Sequence, residues 1–196
     1  MWTRPLNFVF YYAGWFACIL GPAWKRPLGG AFIALGLVGC HLALARRRRD
    51  ELELMLWAGG IGFVVDTLQI ALGMLSFPVG SLVSWLPPPW LIVLWVQFAA
   101  TFHYSMRWLQ GRPVLAALFG IIGGPLAFDA GRRLGVVEFH TAVWPTLLSL
   151  ALVWGAVMPT FMWIAARQSG REGLGEYRSF DALAYARRWN FTSRSS

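Results

Sequence analysis

Asp66 sits in the middle of Leu52–Leu75, an apolar stretch of 24 residues in which Glu53 is the only other charged side chain. A carboxylate at the centre of a bilayer costs at least ~2.5–3.5 kcal/mol on insertion scales, so it turns towards protein or water. Such a group can transfer a proton in acid–base chemistry or bind a polar ligand. Gln69, one turn on, and Gln97, in a separate apolar stretch, add amides that can donate and accept hydrogen bonds. His103 adds an imidazole, the side chain that titrates nearest to neutral pH. Asp129, Arg132 and Arg133 form a second group. Their spacing of three and four residues allows ion pairs along one helix, and the arginines can equally receive an anionic headgroup.

The elements that must carry these residues follow from apolar length. A helix needs ~20 apolar residues to cross the hydrocarbon core. Runs of that kind, punctuated by Gly21-Pro22, Pro27, Pro87-Pro88-Pro89 and Pro113, predict spans at about 6–22, 27–45, 52–75, 89–109, 113–131 and 142–166. The expected fold is an all-α polytopic bundle of six transmembrane helices over residues 1–166. The first run has no small-x-small cleavage site and reads as a retained helix. A basic tail follows over 167–196. There Tyr177, Phe180, Leu183 and Trp189 alternate with Arg178, Arg187 and Arg188, a pattern that suits either an interfacial helix on anionic lipid or a loose tail.

Composition agrees, with 57% hydrophobic and 13% charged residues against roughly 25% charged in a soluble domain. The net charge of +8 does not point to nucleic acid, because the basic residues lie between apolar runs and form no folded face. Of the 17, 13 fall on one side of the six-span reading, which puts both termini in the cytoplasm. Trp24, Trp85, Trp90 and Trp144 then mark outer boundaries, and Trp15, Trp95 and Trp154 lie deeper, between helices. Cys18 and Cys40 have no metal-site spacing, and neither the triad, HExxH and phosphate-loop signatures nor regularly spaced arginines of a voltage sensor occur. No metal is expected, and no motif names a cofactor.

Within the bundle, Gly59, Gly62, Asp66, Gln69 and Gly73 step by three and four and make one stripe of the third helix, which should face other helices. The fourth helix runs the opposite way with Gln97, Thr101, Ser105 and Trp108 on one stripe and His103 beside it. At 1.5 Å per residue, Gln97 and Asp66 lie roughly 12 and about 13 Å from the outer end. That match makes them candidates for direct contact, with Gln69 a turn further out and His103 deeper towards the cytoplasm. His41 reads as a buried hydrogen-bonding residue. A faint repeat also shows: Gly60-x5-Asp66 against Gly123-x5-Asp129, and Trp95-x5-Thr101-Phe102 against Trp154-x5-Thr160-Phe161.

Several of these pieces together resemble a known family. Gly62-x3-Asp66-x-Leu68, Leu94-Trp95-x2-Phe98-Ala99-x-Thr101, Gly120-x2-Gly123-Gly124-Pro125-Leu126-Ala127 and Ala130-Gly131-x2-Leu134-Gly135 are similar to a bacterial inner-membrane family catalogued as a domain of unknown function. Asn7 with Gly14-Trp15-Phe16 looks like its opening, and the likeness covers about residues 5–165. The resemblance implies a compact multi-helix inner-membrane protein. It also implies a gene neighbourhood for modifying membrane fatty acids, such as cyclopropane-fatty-acid-synthase-like enzymes, and it brings no assigned catalytic residues. The family's usual tyrosine is replaced here by Phe128, and an acid at position 129 is outside its pattern, which favours Asp66 over Asp129.

Three functions remain as expectations. The first is handling or modifying membrane lipid, or supporting an enzyme that does so, with Asp66, Gln69 and Gln97 as the buried polar site and Arg132 and Arg133 at the headgroup. The second is a small proton-coupled transporter with Asp66 and His103 as relay groups. The third is a non-catalytic scaffold joined to partners through its glycine faces and the basic tail. In each, the buried polar groups have a bland alternative as structural glue between helices.

Overall fold

The computed structural model describes the backbone of residues 3–192 and the side chains of residues 5–170. It contains α1 (Thr3–Ala23), α2 (Pro27–Leu44), α3 (Arg48–Ala71), α4 (Pro89–Ala99), α5 (Pro113–Arg133) and α6 (Val143–Thr192). A two-residue antiparallel pair, β1 (Leu75–Ser76) with β2 (Glu138–Phe139), ties the loop after α3 to the loop after α5. Proline opens α2, α4 and α5, where its missing N–H is one of the donors a first turn leaves free. At the far ends of α3 and α5, Gly73 and Gly135 turn the chain at φ of 64° and 72°.

Five helices are long and apolar enough to cross a membrane, α6 contributing Val143–Gly170. The fourth differs from expectation. Instead of running to residue 109, the helix stops at Ala99 and gives way to tight turns and a 3-10 segment at Arg107–Leu109. The reason lies in the carbonyl groups. Asn7 Nδ2 donates to Ala100 O at 2.8 Å and Gln110 Nε2 donates to Phe102 O at 3.0 Å. Thr101 Oγ1 donates to Phe98 O at 2.7 Å. Acceptors that an α-helix would use at i+4 are thus held by side chains, and the backbone N–H groups bond three residues back instead. The third helix also starts earlier than expected, at Arg48, and brings Glu51 inside its first turn.

Successive helices pack as hairpins α1–α2, α3–α4 and α5–α6, and α4 also touches α1 and α2. Around an apolar core, the distribution of the remaining side chains differs from that of a water-soluble domain. Asn7, His41, Glu51, Asp66, Gln69 and Gln97 are buried, while Phe32, Leu56, Ile122, Leu126 and Leu152 face outwards. Polar groups inside and aliphatic groups outside are what a hydrocarbon solvent selects. The side chains of the basic tail beyond residue 170, with the expected interfacial pattern, lie outside the described residues.

Candidate functional site

Asp66 is fully buried, and the structure gives it a partner the depth argument missed. Its Oδ2 accepts a 2.7 Å hydrogen bond from Trp95 Nε1. Gln97 turns the other way: its Nε2 donates to the carbonyls of Phe10 and Tyr11 on α1, at 2.9 and 3.1 Å. Residues 95 and 97 stand about 200° apart around a helix, so the expected Asp66–Gln97 contact is replaced by contacts on opposite faces of α4. Gln69 accepts from Ser149 Oγ at 3.1 Å and links α3 to α6. The predicted trio therefore binds three different helices and forms no single cluster.

What Asp66 positions is an aromatic wall. Trp95 stacks on Trp154 with centroids 4.5 Å apart and planes 9° from parallel. Each packs against a glycine, Trp95 against Gly62 and Trp154 against Gly124, where any Cβ would overlap the tryptophan side chain. Below them Phe102 meets Phe161 at 5.3 Å. These are the residues that the faint repeat equates, so the two hairpins meet through corresponding positions. Asp66 and Asp129 break the correspondence: Asp129 accepts from Arg132 and Arg133 at 2.9 and 2.7 Å, as their spacing predicts, and Trp154 Nε1 is buried without a partner. Replacing Asp66 with leucine leaves the Trp95 N–H unsatisfied and is expected to cost ~1–3 kcal/mol. Asp66→Asn keeps an acceptor and should unfold close to wild type in a denaturant titration in mixed micelles.

Beside this wall runs a groove of about 270 Å³. Aromatic and aliphatic side chains of α1 line it from Tyr11 to Ile19, and those of α4 from Trp90 to Phe98. Its floor on α5 is a run of small residues, Gly120, Gly123, Gly124, Ala127 and Gly131, with Trp154 and Met158 of α6 behind. Between Phe119 and Gly131 the helix rises ~18 Å, somewhat more than half of a ~30 Å hydrocarbon core. Tyr12 and Phe119, on its borders, are 43% and 39% exposed on the apolar outer surface. Asp66, Gln69 and Gln97 do not line it.

His103 belongs to a different centre, which the sequence reading did not assemble. Glu51, 3% exposed, is held between two imidazoles: His41 Nε2 lies 3.0 Å from Oε2 and His103 Nδ1 lies 2.9 Å from Oε1. His41 is buried and hydrogen-bonded as expected. Its Nδ1 faces Asn7 Nδ2 at 3.4 Å, and Asn7 Oδ1 accepts from Ser105 Oγ at 2.9 Å. His103 Nε2 faces Ala165 O of α6 at 3.3 Å. One signal for this pairing was available. Counting outwards from the turn at 45–47, His41 stands four residues before it and Glu51 four after, which puts them at one level of an antiparallel hairpin.

The family model described as Protein of unknown function (DUF2878) matches residues 4–160. No curated protein and no solved structure matches the chain.

Proposed function

Since the chain belongs to that family, whose description assigns no activity, we propose from the geometry that it is an integral inner-membrane protein that binds one acyl chain of a membrane lipid. The observation that carries this reading is the groove. It is apolar along its length, it borders the surface that lipid would cover, and its ~18 Å floor suits a chain lying along the bilayer normal from one face to just past the midplane. At the Gly131 end, Arg132 and Arg133 share the single carboxylate of Asp129, which leaves one net positive charge for a phosphate. The bias of basic residues supports a reading in which that end lies outside and both termini are cytoplasmic. Holding one chain against a rigid aromatic wall would present it for modification by this protein or by a partner enzyme. The groove favours this role over a scaffold, which would need no cavity.

Gly123 supplies the test, because a Cβ there meets nothing closer than 3.8 Å and a larger side chain would project into the groove without striking backbone. Full-length protein in nanodiscs containing phosphatidylethanolamine with a diazirine on one acyl chain should crosslink at Tyr12 and Phe119. Gly123→Leu should lower that labelling several-fold, and Gly36→Leu, at an open position on α2, should not. Equal labelling of all three proteins would remove the groove from the lipid site.

A further inference from the structure

The Glu51 centre contains a proton whose place can be read from its hydrogen-bond partners. Asn7 donates from Nδ2 to Ala100 O at 2.8 Å, which fixes the orientation of its amide. The same amino group faces His41 Nδ1, so that nitrogen must offer a lone pair. His41 is therefore neutral, with its proton on Nε2 directed at Glu51 Oε2. His103 has the opposite surroundings. One nitrogen faces a carboxylate oxygen and the other a backbone carbonyl, and both are acceptors. A neutral imidazole has only one N–H, so it would set a lone pair against one of them. Both contacts are satisfied when His103 is an imidazolium and Glu51 a carboxylate.

We propose that Asn7, His41, Glu51 and His103 form a binding site for a single proton, held at His103, and that this proton fastens α6 to the segment after α4. His103 is the most accessible of the three titratable members, with 15% of its side chain exposed against 7% for His41 and 4% for Glu51. It is the natural port of exchange. A cavity of about 10 Å³ beside Asn7 and His41 also touches Gln97 and has room for at most one water. The Glu51 carboxyl group itself, almost fully enclosed, has little contact with bulk solvent. Loss of the proton leaves either the Glu51 or the Ala165 contact without its hydrogen, and the Ala165 contact is the one that crosses to α6. Met106, three residues after His103, and Met158 of α6 both line the groove. The fastening thus lies beside the proposed chain site without depending on it.

Other charged and titratable groups complete the surroundings. On α3, Asp50 adds negative charge near His103 and pairs with Arg47 at 3.5 Å. Tyr104 lies edge-on to His41 at 5.1 Å, and its hydroxyl meets the backbone of Arg46. From α1 and α6 the facing groups are neutral, Asn7 and the Ala165 carbonyl. Burial disfavours the charged imidazolium, but the Glu51 carboxylate, the Ala165 carbonyl and the charge of Asp50 outweigh it and favour the bound proton.

Histidine nitrogen NMR on the full chain in nanodiscs tests the site directly. At pH 7 His103 should show two protonated nitrogens and His41 only one, on Nε2, with exposed His140 as the internal reference. Glu51→Gln should remove the second proton from His103. A neutral His103 in the wild-type protein at pH 7 overturns the proposal. The fastening has its own readout. The folded chain holds this proton more tightly than the unfolded one, so stability should be full below the ordinary imidazole range near 6.5 and fall as the pH rises above it. The thermal midpoint of wild type should drop between pH 7 and 9, and that of His103→Gln should change less. Parallel profiles would overturn the fastening, whereas failure of the chain-binding reading would appear only in lipid crosslinking.

Discussion

Glu51→Leu is expected to be the most damaging single substitution in the chain, with a loss of about 3–5 kcal/mol, the usual result of removing one partner from a buried ion pair. The carboxyl group is almost fully enclosed and receives hydrogen bonds from α2 and from the segment after α4. Leucine would leave one charged imidazole and one N–H without an acceptor. Unfolding by SDS titration in mixed micelles should show the loss as a large shift of the midpoint. The double variant Glu51→Leu with His103→Leu removes both charges and should recover much of it, since neighbouring groups in one network do not add independently. If the double variant is as unstable as the sum of its parts, the two residues are not coupled.

Trp95→Ala should be the second most harmful, on the order of 3 kcal/mol from the cavity it leaves. The indole is 3% exposed, stacks on Trp154, meets Phe161 at 6.0 Å and supplies a side-chain hydrogen bond to the Asp66 carboxyl group. In a bilayer the unfolded helix would also be surrounded by hydrocarbon, so the cost is lost packing rather than transfer to water. Trp95→Phe fills part of the space but has no N–H, and comparison with Asp66→Asn separates the two contributions. A Trp95→Phe protein as weak as Trp95→Ala would show that the hydrogen bond outweighs the ring contacts.

The sequence patterns located elements better than partners. Proline at 27, 89 and 113 marked three helix starts correctly, because proline at a first turn is a local constraint. The early end of α4 was hidden, because the groups that capture its carbonyls come from Asn7, far back in the chain, and from Gln110. Depth matching led from Asp66 to the right helix but to the wrong residue, since axial rise says nothing about azimuth. It selected Gln97, which faces α1, where Trp95 faces α3. Glu51 is hidden from hydropathy because the apolar run begins at Leu52, whereas the helix begins four residues earlier, at Arg48, and its first turn carries Glu51 into the interior. By contrast, the i+3 and i+4 pairing of Asp129 with Arg132 and Arg133 was legible, since it needs no knowledge of any other helix.

The shortness of α4 has a consequence for how the chain is made. Eleven residues of helix extend ~16 Å, about half of the ~30 Å that a segment must cover to partition into lipid alone. The turns that follow expose carbonyls which hydrocarbon cannot satisfy. By the time this segment leaves the ribosome, Asn7 and Glu51 have already been synthesised, whereas Gln110 and the carbonyl of Ala165 have not. Its entry into the membrane should therefore depend on the first three helices already being in place, and should be completed only when the last one arrives. Biogenesis of this protein is expected to be a cooperative assembly in which the fourth segment waits on its neighbours.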